Sequence, residues 1–471
     1  MSGAVLTING AYNGQTGILG VPSNFEGETS TQGSLNAALQ SYLDGISASI
    51  TSGQMSFMNY DIVGGSVYSS AATVPGAKTF EEFTNVDSAG GVSTALASGS
   101  YTVNPGVTDI VVQAPGSETV AGNREIIDGT GSVTSALFSA LSNVTYSVTN
   151  PGAGVIYAAG GADSITLYSA GLDNNETIYS AGTDTINLVG NGTDYVSIQG
   201  SANDVIQIEA ANANVTATGA ATVGIHWDNG NAGGTLNFIN NSSQAATIYT
   251  AVFMNDSSTT TAVTHVTASG GAGGGFYVGG QGGNNSLVGG TGVVTLVGGG
   301  EGDYLSASSG GMNELFAGSG TETMVASSTT GSNLFQVGLN YPGLGQPAGN
   351  GVISTEGSGV QSYFLGNSNG ETIYGSQNAS FNLFNIVSNE TAGGGIYNIY
   401  NFNNHGFIKL IDAADTGAGS ASVAAIQADP VSSGTTDIYL SDGTTIKLHG
   451  VSANSLTSQP GSDGVLSIYQ K

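Results

Sequence analysis

Cysteine is absent from this chain of 471 residues, which excludes disulfides, thiolate zinc sites and cysteine nucleophiles. Basic residues are almost absent: Lys78, Arg124, Lys409, Lys447 and Lys471 stand against 33 Asp and Glu, giving a formal net charge of −28. Such a charge repels phosphate backbones and anionic headgroups, so nucleic acid and membrane surfaces are not expected partners, whereas cations are. No run approaches the roughly 20 apolar residues of a membrane helix. Membrane insertion is therefore not expected. The opening MSGAVLTINGAYNG has neither the basic nor the apolar region of a cleaved secretory leader.

Catalytic constellations are equally sparse. His226, His265, His405 and His449 are scattered without zinc-like spacing, and the many G-x-G strings open no convincing helix with a lysine at the needed offset. A polysaccharide lyase is the least implausible enzyme, but it calls for basic residues and Arg124 is the only arginine. No enzyme is expected. Trp227, in GIHWDNGN, suits either stacking on a sugar ring or packing at a rim.

Glycine is abundant, at 76 residues, while apolar types still reach 39 %. The chain can therefore bury a thin core and is not of disordered composition. Up to about residue 125 no short period is visible. Within that stretch Leu35, Leu39, Leu43, Ile46 and Ile50 recur at helical spacing after Ser34, predicting an amphipathic helix capped by that serine. Its apolar face suits packing on its own domain or an assembly contact.

From about 126 the texture changes to short apolar triplets between glycine-rich turns. The stretch GAGGGFYVG, GQGGNNSLV, GGTGVVTLV, GGGEGDYLS, SSGGMNELF, AGSGTETMV and SSTTGSNLF repeats every nine residues with two single-residue slips. Its eighth positions, Val278, Leu287, Leu296, Leu305, Leu315, Met324 and Leu334, are expected to line the core. A single such unit cannot bury its own side chain, so successive units must stack along an axis. Two units then make one flattened coil, and residues about 18 apart lie one above the other on parallel strands.

The expected fold is all-β: a parallel β-roll or β-solenoid over residues 126–400. It is preceded by a small N-terminal assembly or anchoring domain containing a helix (1–125) and followed by a C-terminal β-rich cap (401–471). In the cap, Ile438, Leu440, Ile446 and Leu448 flank Asp442-Gly443, a strong hairpin signal.

The nine-residue unit resembles the calcium-binding repeat of the repeats-in-toxin, or haemolysin-type, family, G-G-x-G-x-D-x-aliphatic-x. GGTGVVTLV keeps the glycines but has Val294 at the Asp position; GGGEGDYLS keeps Asp303 but has Glu301 at a glycine position; VGNGTDYVS keeps Gly190, Gly192 and Asp194. The resemblance implies calcium between stacked turns, held by carboxylates and main-chain carbonyls. Stacking places Asp163, Asp184 and Asp204 on one edge with Glu176 and Asp194 opposite. Further along it places Asn285, Asp303 and Glu322 on one edge, with Phe276, Val294, Asn313 and Ser332 on the other. Glu176 and Glu322 depart from the family's Asp.

Similarity of the tail (NFNNHGFIKLIDAADTG, LSDGTTIKLHGVSANSLT) to proteins exported by type I secretion implies an uncleaved C-terminal signal and a secreted, extracellular or cell-surface location. The functional expectation is a structural protein that folds and self-assembles with calcium, its partner being itself, into a surface layer, fibre or biofilm matrix. The alternative is an adhesin for polysaccharide or a cell surface.

Overall fold

In the computed structural model the chain is nearly all β, with one α-helix among the described residues. The structure describes residues 3–12, 15–22, 31–61, 66–69, 78–84, 99–103, 106–112, 123–128, 133–138, 143–149, 154–209, 212–227, 234–250, 264–308, 311–327, 330–339, 351–366, 369–388, 395–403, 405–412, 421–460 and 466–471. Two compact units result, the first holding residues 1–234 and 241–244, the second 235–240 and 245–471. Each is a parallel β-solenoid.

In the first unit one sheet stacks the strands Met55–Asp61, Lys78–Thr84, Val107–Val112, Ser135–Phe138, Gly154–Ala158 and Glu176–Ser180 in parallel. Parallel pairing thus begins well upstream of residue 126, where the repeat becomes visible in the sequence. The opposite sheet runs through Asn143–Thr149, Ser164–Asn174, the first part of Thr185–Ile198, Asn203–Glu209 and Thr222–Trp227. Strand alternation sends every second residue inward. The inner column Tyr146, Ile165, Ile186, Ile206 and Ile225 is fully buried, as is Val148, Leu167, Leu188, Ile208 and Trp227. At 2 % exposure Trp227 is a core residue, so of the two sequence readings packing is the correct one.

The helix spans Thr31–Thr51. It starts three residues before Ser34, which therefore lies inside it and is not its cap. Gly53 ends it at φ 72°, where the Gln54 amide donates to the Ser49 carbonyl at 2.9 Å, a closure that favours glycine. Leu39, Leu43, Ile46 and Ile50 are buried against Phe57, Phe80, Val111 and Leu137, with Tyr157 and Tyr179 alongside. These partners come from six successive strands of one sheet, a span comparable to the helix's own length of roughly 31 Å. Tyr42 completes the seam by donating its hydroxyl to Asp109 at 3.0 Å. The apolar helix face thus packs on its own unit.

In the second unit the inner columns are Ala268, Leu287, Leu305, Met324, Ile353, Ile373, Ile399 and Leu448 on one sheet, and Ile248, Tyr277, Leu296, Leu315, Phe335, Tyr363, Phe384 and Ile408 on the other. One of the expected inward positions is off by one. Phe335 replaces Leu334, because a one-residue slip sends a strand residue to the opposite face, and Leu334 pairs with Glu314. Val278 is fully buried as expected, but beside the column through Tyr277, in a cluster with Val297, Phe276 and Phe316.

Glycine is required where coils approach closely: a Cβ on Gly299 would strike the carbonyl oxygen of Gly280, and Gly302 holds φ at 85° just before Asp303. The unit ends in antiparallel strands. Thr435–Leu440 and Thr445–His449 form the expected hairpin, with Ile438 opposite Ile446 and Gly443 at φ 89°. Leu466–Gln470 lies antiparallel to Gly406–Asp412. These strands occupy sheet edges that would otherwise offer unpaired main-chain groups.

Candidate functional site

Each coil corner poses a hydrogen-bonding problem. The first N–H of a strand points along the axis, and a buried N–H without an acceptor costs about 1–3 kcal/mol. The side chain one coil further on supplies that acceptor. Val144 N donates to Asp163 Oδ1 at 2.7 Å, Asp163 N to Asp184 Oδ1 at 2.8 Å, and Asp184 N to Asp204 Oδ1 at 2.9 Å. Asp163, Asp184 and Asp204 therefore do share one edge, as the spacing implies, and are 0–2 % exposed. On the opposite edge Glu176 N donates to Asp194 Oδ1 at 3.1 Å.

Two of the three buried ladder glutamates, Glu176 and Glu371, make room by a different device. A Cβ on Gly154 would lie 2.9 Å from Glu176 Oε2, and one on Gly351 would lie 2.7 Å from Glu371 Oε1. At these two positions the longer carboxylate is accommodated by glycine in the preceding coil, whereas Glu322 and each aspartate stack below a residue with a side chain. Gly351 N donates to Glu371 Oε2 at 3.1 Å.

In the second unit Val266 N donates to Asn285 Oδ1 at 2.8 Å and Asn285 N to Asp303 Oδ1 at 2.8 Å. Asp303 Oδ2 also accepts Gly299 N at 2.6 Å. Asn285, Asp303 and Glu322 are each 1–3 % exposed and follow one another along this edge. The other edge differs from the expected set. Gly275, Val294, Asn313 and Asn333 are in line there, replacing Phe276 and Ser332. From Asn313 it becomes an amide ladder: Asn313 Nδ2 donates to Asn333 Oδ1 at 2.9 Å, and Asn333 Nδ2 to Gln361 Oε1 at 2.7 Å. The ladder escapes a nine-residue search because intervening segments of unequal length separate its members. A polar residue just ahead of an apolar strand is the signal that finds it.

The carboxylate ladders carry an electrostatic cost. Burial, then the Asp184 carboxylate, holds Asp163 well above the usual range; burial raises Asp184 to about 6 and, with Asp184 beside it, Asp204 to about 7. Burial and then Asp194 raise Glu176 to about 8, and burial raises Asp194 to about 6. Burial followed by Asp303 and Glu371 raises Glu322 to about 9. No lysine or arginine neutralises these groups among the interactions described.

Ser180 shows the consequence in geometry. Its buried hydroxyl lies 2.7 Å from Asp184 Oδ2 and 2.5 Å from Asp204 Oδ2. A serine has one proton to donate, so two ionised carboxylates leave one contact without hydrogen. One carboxyl proton completes the chain Asp184, Ser180, Asp204.

A calcium ion takes roughly six to eight oxygens at about 2.3–2.6 Å. Here one oxygen of each ladder aspartate already accepts a main-chain N–H, and among the described residues no three acidic or histidine side chains gather around a common point. Asp163 Oδ2 and Glu322 Oε1 are buried oxygens with no hydrogen-bond partner, so the ladder still calls for a neutralising proton or cation. The comparisons with known proteins add no analogy: no family model, no curated protein and no solved structure matches the chain.

Proposed function

We propose that this chain is a structural protein of the extracellular or cell-surface space that associates with copies of itself. The observation that carries the reading is an apolar ribbon on the outer face of the second unit. Val360 and Phe381 are partners on adjacent strands, 38 % and 48 % exposed, and Met312, 55 % exposed, lies in the same column beyond Ser332. The ribbon continues through the rings of Phe407, 5.7 Å from Phe381, and Tyr469. Exposed apolar surface of this kind, interrupted here only by Ser332, marks interaction sites, and the antiparallel C-terminal strands favour sideways over end-to-end contact there.

Copies carrying −28 each repel one another at long range, so association should grow as cations screen them. Calcium enters the proposal in that role and as a competitor of protons for the ladder carboxylates. Export by an uncleaved signal within residues 401–471 belongs to the same reading, which involves no catalysis.

Light scattering and electron microscopy of the full chain, titrated from chelator to about millimolar calcium, test it. Ordered assemblies that dissolve on chelation and fail to form with Phe381→Ser are expected. A monomer at every calcium concentration would overturn the reading.

A further inference from the structure

A groove of about 410 Å³ opens on the second unit beside the strand Asn369–Tyr374, lined by Ser354, Glu356, Tyr374, Gln377, Asn378 and Asn401 among others. That volume falls within the range of small-molecule sites, about 300–1,000 Å³. Among the described lining residues Tyr374 is the one aromatic. The residue is 40 % exposed, and one side of its ring is backed by Tyr400, at 4.9 Å and 19° between planes, which in turn stacks on His449 at 4.0 Å. In the preceding coil the partner of Tyr374 is Ser354, a residue too small to fill the space next to the ring.

Around this ring stand groups that exchange hydrogen bonds without carrying net charge. Asn401, held at φ 62°, donates to the Gly375 carbonyl at 3.1 Å and accepts from Gln377 Nε2 at 3.2 Å. Gln377 and Asn378 are exposed, and Glu356 adds one carboxylate acceptor. A rigidly backed aromatic ring with amides and one carboxylate at its rim is complementary to a ring-shaped ligand having an apolar C–H face and hydroxyls at its edge.

We propose that this groove binds a neutral saccharide, with Tyr374 as the stacking platform and Gln377, Asn378 and Glu356 as hydroxyl partners. The proposal does not rest on self-association. Acidic saccharides are disfavoured by Glu356 and by the protein's net charge of −28.

The full-length protein, labelled and kept in chelator so that it stays dispersed, is applied to an array of neutral and acidic oligosaccharides, and hits are titrated by calorimetry. Binding to at least one neutral oligosaccharide is expected, weakened about tenfold or more by Tyr374→Ala and retained by Tyr374→Phe, as stacking requires. Because Tyr374 lies on a strand, Gln377→Ala serves as a second variant in the neighbouring turn and should also weaken binding. Absence of any neutral hit, or unchanged affinity in both Tyr374→Ala and Gln377→Ala, would overturn the proposal. Loss of binding with persistent calcium-dependent assembly would separate this site from the ribbon.

Discussion

Raising the pH should destabilise this protein through the range in which most proteins are indifferent, and Glu322 provides the clearest case. Its carboxyl is 3 % exposed and is lifted from 4.5 to about 9 by burial, by Asp303 and by Glu371, against the opposing N–H of Gly318. The folded state therefore keeps a proton that the unfolded chain releases near its ordinary value. Between those values the folded state binds more protons, so stability is complete below the lower one and falls as pH rises, by up to about 1.4 kcal/mol per pH unit for one group. Taken over the whole shift, Glu322 alone is worth on the order of 6 kcal/mol at most, and Glu176, raised to about 8, acts in the same direction.

The assay is the urea midpoint of the full chain in chelator at several values between about pH 5 and about pH 9, repeated with Glu322→Gln. Wild type should lose stability steadily with pH. The amide, which cannot ionise, should remove about one proton's worth of slope above neutrality. A flat or rising profile in chelator would refute the reasoning, as would an unchanged slope in Glu322→Gln. Millimolar calcium that flattens the wild-type profile would support a cation in the place of the proton.

Other substitutions probe the remaining parts of the ladder and the helix seam. Ser180→Ala removes the hydroxyl between Asp184 and Asp204 and should cost about 1–3 kcal/mol, read as a lower urea midpoint; an unchanged midpoint would refute the bridging role. Gly154→Ala drives a Cβ to 2.9 Å from both Glu176 Oε2 and the Thr134 carbonyl, so the midpoint should drop, with Glu176→Asp restoring only part because the carbonyl stays. Leu43→Ala, at a fully buried helix position, should cost about 2–5 kcal/mol, and limited proteolysis should then cut first within or beside the helix.

The sequence disclosed the coil because its period is local: Leu287, Leu296, Leu305, Leu315 and Met324 recur at nearly constant spacing, and a side chain that cannot be buried by its own unit must stack. It also disclosed which acids share an edge, since Asp163, Asp184 and Asp204 are each about one coil apart. The helix face was legible from Leu39, Leu43, Ile46 and Ile50, and the hairpin from Asp442-Gly443.

What only the tertiary structure decided depends on contacts between coils. Whether Leu334 or Phe335 faces inward turns on a one-residue register, and unequal intervening segments hide the column joining Asn313, Asn333 and Gln361. The distance from Glu176 to Gly154 is invisible to a nine-residue period, although it explains why a glutamate is accommodated there. Period fixes which residues stack, but the chemistry of a stacked carboxylate is set by what lies one coil away: a main-chain N–H that claims one oxygen, and a dry interior that asks for a proton or a cation on the other.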